Sequence, residues 1–194
     1  MITRVNLSDI EIKLSKHLSE HSFAHSVRTK ETALDLAKHH GVDSGLAATS
    51  ALLHDYAKDL SDSEMLRRAG ALGLVNYAVE EEIPFLLHAR LGASMVEREF
   101  GIEDLRILGA ISKHTYGDGV MTDLDRIVYL ADAIEPGRSG NGLNDIREFA
   151  KTDLSIAFKM MYRHQLQILL EQGRMIHPIS IEVWNSLNGE IFNG

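Results

Sequence analysis

His54 and Asp55 stand side by side in the run Ala51-Leu52-Leu53-His54-Asp55-Tyr56-Ala57-Lys58. An ionised aspartate among apolar neighbours is costly unless it is paired, hydrogen-bonded or bound to a metal ion. A metal site satisfies the imidazole and the carboxylate together. Of the ten histidines, His25, His54, His88 and His114 fall near expected helix ends or on apolar helix faces. Taken singly, each reads first as an ordinary core or surface histidine. The chain has no cysteine, so any metal must be held by nitrogen and oxygen, which suits iron, manganese, zinc or magnesium and leaves no thiol nucleophile. Lys58, one helical turn after His54, can aim its ammonium at the same place. Arg138 sits in Glu135-Pro136-Gly137-Arg138, where Pro and Gly fix a tight turn and a guanidinium fork matches phosphate oxygens. Arg28 lies one turn beyond His25, and Thr115, next to His114, can offer a hydroxyl to phosphate or ribose.

The remaining histidines read as structural. His39-His40 before Gly41 suit a helix C-terminus, His17 and His21 cluster near the ends of the first two helices, His164 takes a polar helix face and His177 a turn. Glu80-Glu81-Glu82 reads as a solvated face or a helix start, not a magnesium site.

These groups need a scaffold. Apolar positions recur at three- and four-residue spacing, and only Pro84, Pro136 and Pro178 interrupt them, which predicts an all-α protein. Ser8 with Glu11 reads as a capping box opening a helix to about Leu18. A second helix is expected over Phe23 to His40, stopped by Gly41, and a third, capped by Asp43 or Ser44, runs into His54-Asp55. Further helices are expected over Ser61 to Gly73, from Pro84 to Gly101, from Glu103 to His114, from Thr122 to Ile134, from about Asp153 to Glu171, and after Pro178. Gly137 to Gly142 reads as a loop.

At 194 residues and 44% hydrophobic content the chain fits a single domain. A net charge of −8 argues against a nucleic-acid partner, because a phosphate backbone demands a basic face. The longest apolar runs fall short of the roughly 20 residues of a spanning helix, and Met1 to Leu7 lacks the apolar stretch of a secretory signal. A cytoplasmic protein without a membrane partner is expected. A homodimer suits a small helical enzyme, though no uninterrupted exposed apolar stripe demands one.

In order, His25, His54-Asp55, His88, His114 and Asp132 follow the pattern H…HD…H…H…D, which resembles the HD-domain superfamily of metal-dependent phosphohydrolases. The local wording, LLHDYAK around Asp55, LLHARLGA around His88, KHTYG around His114 and LADAIEPGR around Asp132, is similar to that of the YqeK-type symmetrical bis(5′-nucleosyl)-tetraphosphatases. The similarity runs from about Ser22 to Ala150, with a fainter match in IHPISIEVWNSL.

The resemblance implies one HD domain over residues 1–194, a helical bundle with a metal site in its core, that core covering about 22–150 and the C-terminal helices 151–194. It implies that His25, His54, Asp55 and Asp132 bind a first metal, typically iron, with manganese or zinc as alternatives. His88 and His114 then lie on the second-metal or substrate side. Asp55 and Lys58 are the expected catalytic pair, and Thr115, Arg138 and Arg28 the expected substrate contacts. Two ions bridged by a carboxylate activate water and polarise a phosphoryl oxygen without a protein nucleophile. The implied substrate is a dinucleoside tetraphosphate cut into two ADP. Alternatives keep the site but act on nucleoside monophosphates or (p)ppGpp, or use it to sense nucleotides. Family members often carry Arg where this chain has Ser22, and Pro where it has Arg90, so the cations at the pocket mouth differ here.

Overall fold

The computed structural model describes residues 6–189, and among these every regular element is helical. In chain order the helices are α1 (Leu7–His17), α2 (Glu20–His40), α3 (Ser44–Leu53), α4 (Asp62–Ala71), α5 (Ala78–Glu82), α6 (His88–Phe100), α7 (Leu105–Lys113), α8 (Asp123–Ile134), α9 (Leu143–Thr152), α10 (Leu154–Glu171) and α11 (Pro178–Asn188), with a 3-10 turn at Pro84–Leu87 leading into α6.

The organising element is α3. Every residue from Ala47 to Leu53 is buried, as expected of a helix apolar on all sides. It lies between two apolar clusters. Ala47 and Ala51 pack with Leu36, Ile127, Leu130 and Phe158 from α2, α8 and α10. Leu52 and Leu53 pack with Ile10, Leu14, Leu91 and Ile111 from α1, α6 and α7. A helix held on both flanks delivers its C-terminal end to a fixed point, and that end carries His54-Asp55. Truncating Leu52 or Leu53 to alanine would cost about 2–5 kcal/mol and loosen that delivery.

The helix ends carry their own chemistry. The Asp43 carboxylate accepts from Leu46 N to open α3, and Thr122 with Asp125 forms a reciprocal capping box on α8. Gly41 and Gly101 close α2 and α6 in the left-handed region, at φ of 66° and 65°. Three expectations need correction. The cap of α1 is Asn6, whose side chain accepts from Ser8 N, rather than a Ser8–Glu11 box. Helix α9 was not foreseen, and α5 only as a helix start at Glu80 that was the alternative to a solvated face. Glu80 is fully buried rather than solvated, because it receives Arg90, His177 Nε2 at 2.9 Å and the backbone N–H groups of Asn76 and Tyr77.

Candidate metal centre

Three site histidines share one local device. His54 follows α3, His114 follows α7, and His88 follows the 3-10 turn. The last carbonyls of a helix lack intrahelical partners, and in each case the imidazole Nδ1 binds the carbonyl three residues back: His54 to Ala51 at 2.7 Å, His114 to Ile111 at 2.7 Å, His88 to Phe85 at 2.6 Å. A carbonyl only accepts, so each Nδ1 carries a proton and each Nε2 is turned to the site, a lone-pair donor whenever it is not itself protonated. His25, inside α2, does the same with a side chain, its Nδ1 lying 3.1 Å from Glu135 Oε1.

All four Nε2 atoms converge on two carboxylates. Asp55 Oδ2 lies 3.2 Å from His54 Nε2 and 3.5 Å from His25 Nε2, while Oδ1 of the same residue lies 3.4 Å from His88 Nε2 and 3.5 Å from His114 Nε2. Asp132, from the last turns of α8, brings Oδ1 to 2.8 Å from His25 Nε2 and 3.7 Å from His54 Nε2. His88 and His114 face one another Nε2 to Nε2 at 3.0 Å. His54, Asp55, His25, His88 and His114 are all buried.

Lone pairs facing carboxylates, and each other, at such distances repel unless a positive charge lies among them. Neither His54 Nε2 nor Asp55 Oδ1 has a hydrogen-bond partner, although both are inaccessible to solvent; the 3.2 Å approach of His54 to Asp55 lacks hydrogen-bond alignment. Orphaned groups of this kind are rare in a folded interior. Their chemistry fits a divalent cation on His25, His54, Asp55 and Asp132, with a second donor set in Asp55, His88 and His114.

The electrostatics point the same way. Burial works to lower the His54 pKa, but the carboxylates of Asp55 and Asp132 outweigh it and raise the value to about 10. Burial alone would raise the carboxyls of Asp55 and Asp132, but the neighbouring imidazoles hold both well below the ordinary range. His114, dominated by burial, is pushed down to about 4 and is a neutral donor at neutral pH. The pocket thus keeps its carboxylates ionised beside a positive charge drawn onto His54, and a divalent cation bound there would take that proton's place.

Around this centre lies a cationic rim. Lys58 Nζ contacts Asp55 Oδ2 at 2.5 Å, and Arg138 Nη2 contacts Asp132 Oδ1 at 2.6 Å and His25 Nε2 at 3.4 Å. Thr115 Oγ1 lies 3.3 Å from His88 Nε2. Arg28 grips Glu135 through Nε at 2.6 Å and Nη2 at 3.1 Å. A cleft of about 80 Å³ opens here, lined by His21, Ser22, His25, Arg28, Lys58, Glu135, Gly137 and Arg138. His21, expected to be structural, therefore lies on the cleft wall. Ser22 donates its hydroxyl to Asp59 Oδ1 at 2.7 Å.

Sequence reasoning passed over Glu135. Its carboxylate receives His25 Nδ1, two Arg28 donors and the Gly137 N–H, and although burial opposes ionisation these bonds bring its pKa to about 2. A carboxylate behind a ligating imidazole fixes tautomer and orientation. The signal was present in the acidic residue three places after Asp132, within the stretch read only as a turn. Arg147 of α9 binds the carbonyls of Ile134, Glu135 and Arg138 at 2.9, 3.3 and 2.8 Å and so holds the turn that carries Glu135 and Arg138. His164 and His177 contribute nothing to the centre; His177 stacks on Tyr116 at 4.0 Å and pairs with Glu80.

A helical domain with paired His and Asp donors at its core defines a class, and the model of the HD domain family matches residues 22–137, so the chain belongs to the HD domain family. Its relatives narrow the comparison. It is 34% identical over 174 residues to a symmetrical bis(5′-nucleosyl)-tetraphosphatase of Bacillus subtilis, covering 90% of this chain and 93% of that one. It is 38% identical over 175 residues to the protein of the same name in Halalkalibacterium halodurans, covering 88% and 91%. A crystal structure from Clostridium acetobutylicum, described as a predicted HD superfamily hydrolase involved in NAD metabolism, superposes with a TM-score of 0.91 at 30% identity, covering 95% of this chain and 98% of that one.

Proposed function

We propose that this chain is a metal-dependent hydrolase that cleaves dinucleoside tetraphosphates, diadenosine tetraphosphate among them, symmetrically into two nucleoside diphosphates. One observation carries the reading: four imidazole Nε2 atoms and two carboxylates converge, with buried atoms left unpartnered, beside a cleft rimmed by Lys58, Arg28 and Arg138. Relatives that align over most of their length and carry the tetraphosphatase name supply the substrate class.

A divalent cation held by His25, His54, Asp55 and Asp132 supplies Lewis acidity toward a phosphoryl oxygen and makes water acidic enough to ionise near neutral pH. We assign iron to that position, with a second ion at Asp55, His88 and His114; the nitrogen and oxygen donor set also suits manganese or zinc. In the reaction one water oxygen joins a central phosphorus, the bridging oxygen departs with the other half, and each half leaves as a nucleoside diphosphate. The chain's own work is positional and electrostatic. Asp55 presents one oxygen to each donor set and is held by the Lys58 ammonium. Arg138 and Lys58 set positive charge at the cleft where a polyphosphate would lie, and Thr115 offers a hydroxyl on the opposite flank of Asp55. Arg28 acts chiefly through Glu135 and His25. In this reading the enzyme works in the cytoplasm on a soluble nucleotide, with neither nucleic acid nor membrane as partner.

The reading is tested by offering the metal-loaded protein diadenosine tetraphosphate, ppGpp and nucleoside monophosphates in parallel. Turnover is expected with the first. No turnover of it, alongside hydrolysis of either alternative, overturns the substrate assignment.

A further inference from the structure

Cutting a dinucleoside tetraphosphate at its centre places one nucleoside diphosphate arm on each side of the bridging oxygen whose bond is broken. The cleft of about 80 Å³ holds a phosphate-sized group and is far below the roughly 300–1,000 Å³ that enclose a drug-sized ligand. Both nucleosides must therefore lie along the surface beside the site. A base lying in water gains most from an aromatic face, because base stacking on an aromatic ring needs no complementary edge.

Among the described residues, Phe85 and Phe149 are the exposed side chains of the phenylalanine, tyrosine and tryptophan type, and Phe85 touches the site. Its ring centre lies 4.6 Å from that of His88, with the planes inclined by 34°. The residue is 42% exposed, although Pro84 and Leu87 of the same short turn are buried. Burial is thus not what fixes its direction. Its backbone is nonetheless anchored to the chemistry, since the Phe85 carbonyl accepts the His88 Nδ1–H at 2.6 Å. The turn that orients an inward-facing imidazole also presents an aromatic ring to solvent next to it. Arg28, Lys58 and Arg138 line the other flank of Asp55, so the two arms of a symmetric substrate meet different surroundings: cations on one side, Phe85 with His88 and Thr115 on the other.

We propose that Phe85 is a nucleobase-stacking residue, covering the base of the nucleoside diphosphate arm that passes His88 and His114. The proposal rests on the tetraphosphatase reading and adds a base subsite to it. Stacking is tolerant of base identity, so adenine and guanine diphosphates are both accommodated.

The test uses the metal-loaded chain with Phe85→Ala, Phe85→Leu and Phe85→Trp. Inhibition by ADP is compared with inhibition by inorganic tripolyphosphate, which has the phosphates and no base. Phe85→Ala and Phe85→Leu should weaken ADP by roughly 5- to 150-fold, the range seen when a stacking aromatic is removed, and leave tripolyphosphate unchanged. Phe85→Trp should retain ADP binding, and its added fluorescence above the Trp184 background should respond to ADP but not to tripolyphosphate. Equal losses for both inhibitors would mean that the ring only props His88 and would overturn the proposal, as would unaltered ADP inhibition in Phe85→Ala and Phe85→Leu. Failure of the wild-type protein to cleave diadenosine tetraphosphate would instead strike the underlying reading, since the inhibitor comparison and the fluorescence response measure binding separately from turnover.

Discussion

Glu135→Gln keeps the shape of the side chain and removes its charge, so it isolates what the carboxylate does behind His25. The Glu135 carboxylate is almost fully buried and receives His25, Arg28 and the Gly137 N–H, which lower its pKa from 4.5 to about 2. A displacement of that size stabilises the ionised fold by about 3 kcal/mol. The sign comes from proton counting: between pH 2 and 4.5 the unfolded chain binds the proton more readily, so stability rises with pH through that window and is complete above it. Urea unfolding of the chelator-treated proteins should therefore show Glu135→Gln weaker by about 3 kcal/mol at pH 7, with the gap falling to roughly half by pH 3. Metal affinity at neutral pH should fall about 10- to 100-fold, because the amide no longer fixes the His25 tautomer as firmly. A stability gap independent of pH, or unchanged metal affinity, would refute the reasoning.

Other perturbations separate the parts of the site. His54→Ala and Asp55→Ala should lose bound metal and activity together, checked by elemental analysis beside turnover; full retention of metal would remove these residues from the ligand set. Arg138→Ala should keep its metal and raise KM for the tetraphosphate at least about 10-fold, the loss expected of one charge-assisted contact. At Gly137 a methyl group would stand 2.7 Å from Arg28 Nη2 and 2.9 Å from Glu135 Oε1. Arg28, the flexible partner, must give way, so Gly137→Ala should resemble a milder Glu135→Gln, with a folded chain and intermediate metal affinity. Glu80→Ala strands Arg90 and His177 in the interior and should cost about 3–5 kcal/mol by chemical denaturation.

The helices that carry the chemistry were legible because their signals are local. Asp43, Gly41, Gly101 and the apolar run into His54 mark the ends of α2, α3 and α6 with little help from tertiary structure. The candidate metal residues were legible through ordered motifs, and the structure brings His25, His54, Asp55, His88, His114 and Asp132 together. Missed features depend on contacts distant in sequence. Glu80 looks solvated until Arg90 and His177, the latter 97 positions away, converge on it. Glu135 meets His25 across 110 positions, a contact that an acidic residue three places after Asp132 only hints at. Helix α5 is five residues long and offers too few turns for a periodic signal, while α9 was hidden by the glycine-rich stretch before it. The shared device of Nδ1 bound to the carbonyl three residues back was also invisible, because it needs knowledge of where each helix ends.

In the function proposed, this constellation adds water at the middle of a tetraphosphate. The most direct test is to hydrolyse diadenosine tetraphosphate with the metal-loaded chain in water enriched in heavy oxygen and to identify every nucleotide product by mass. ADP alone is expected, with one of each pair of ADP molecules carrying a single heavy oxygen. ATP together with AMP would contradict it.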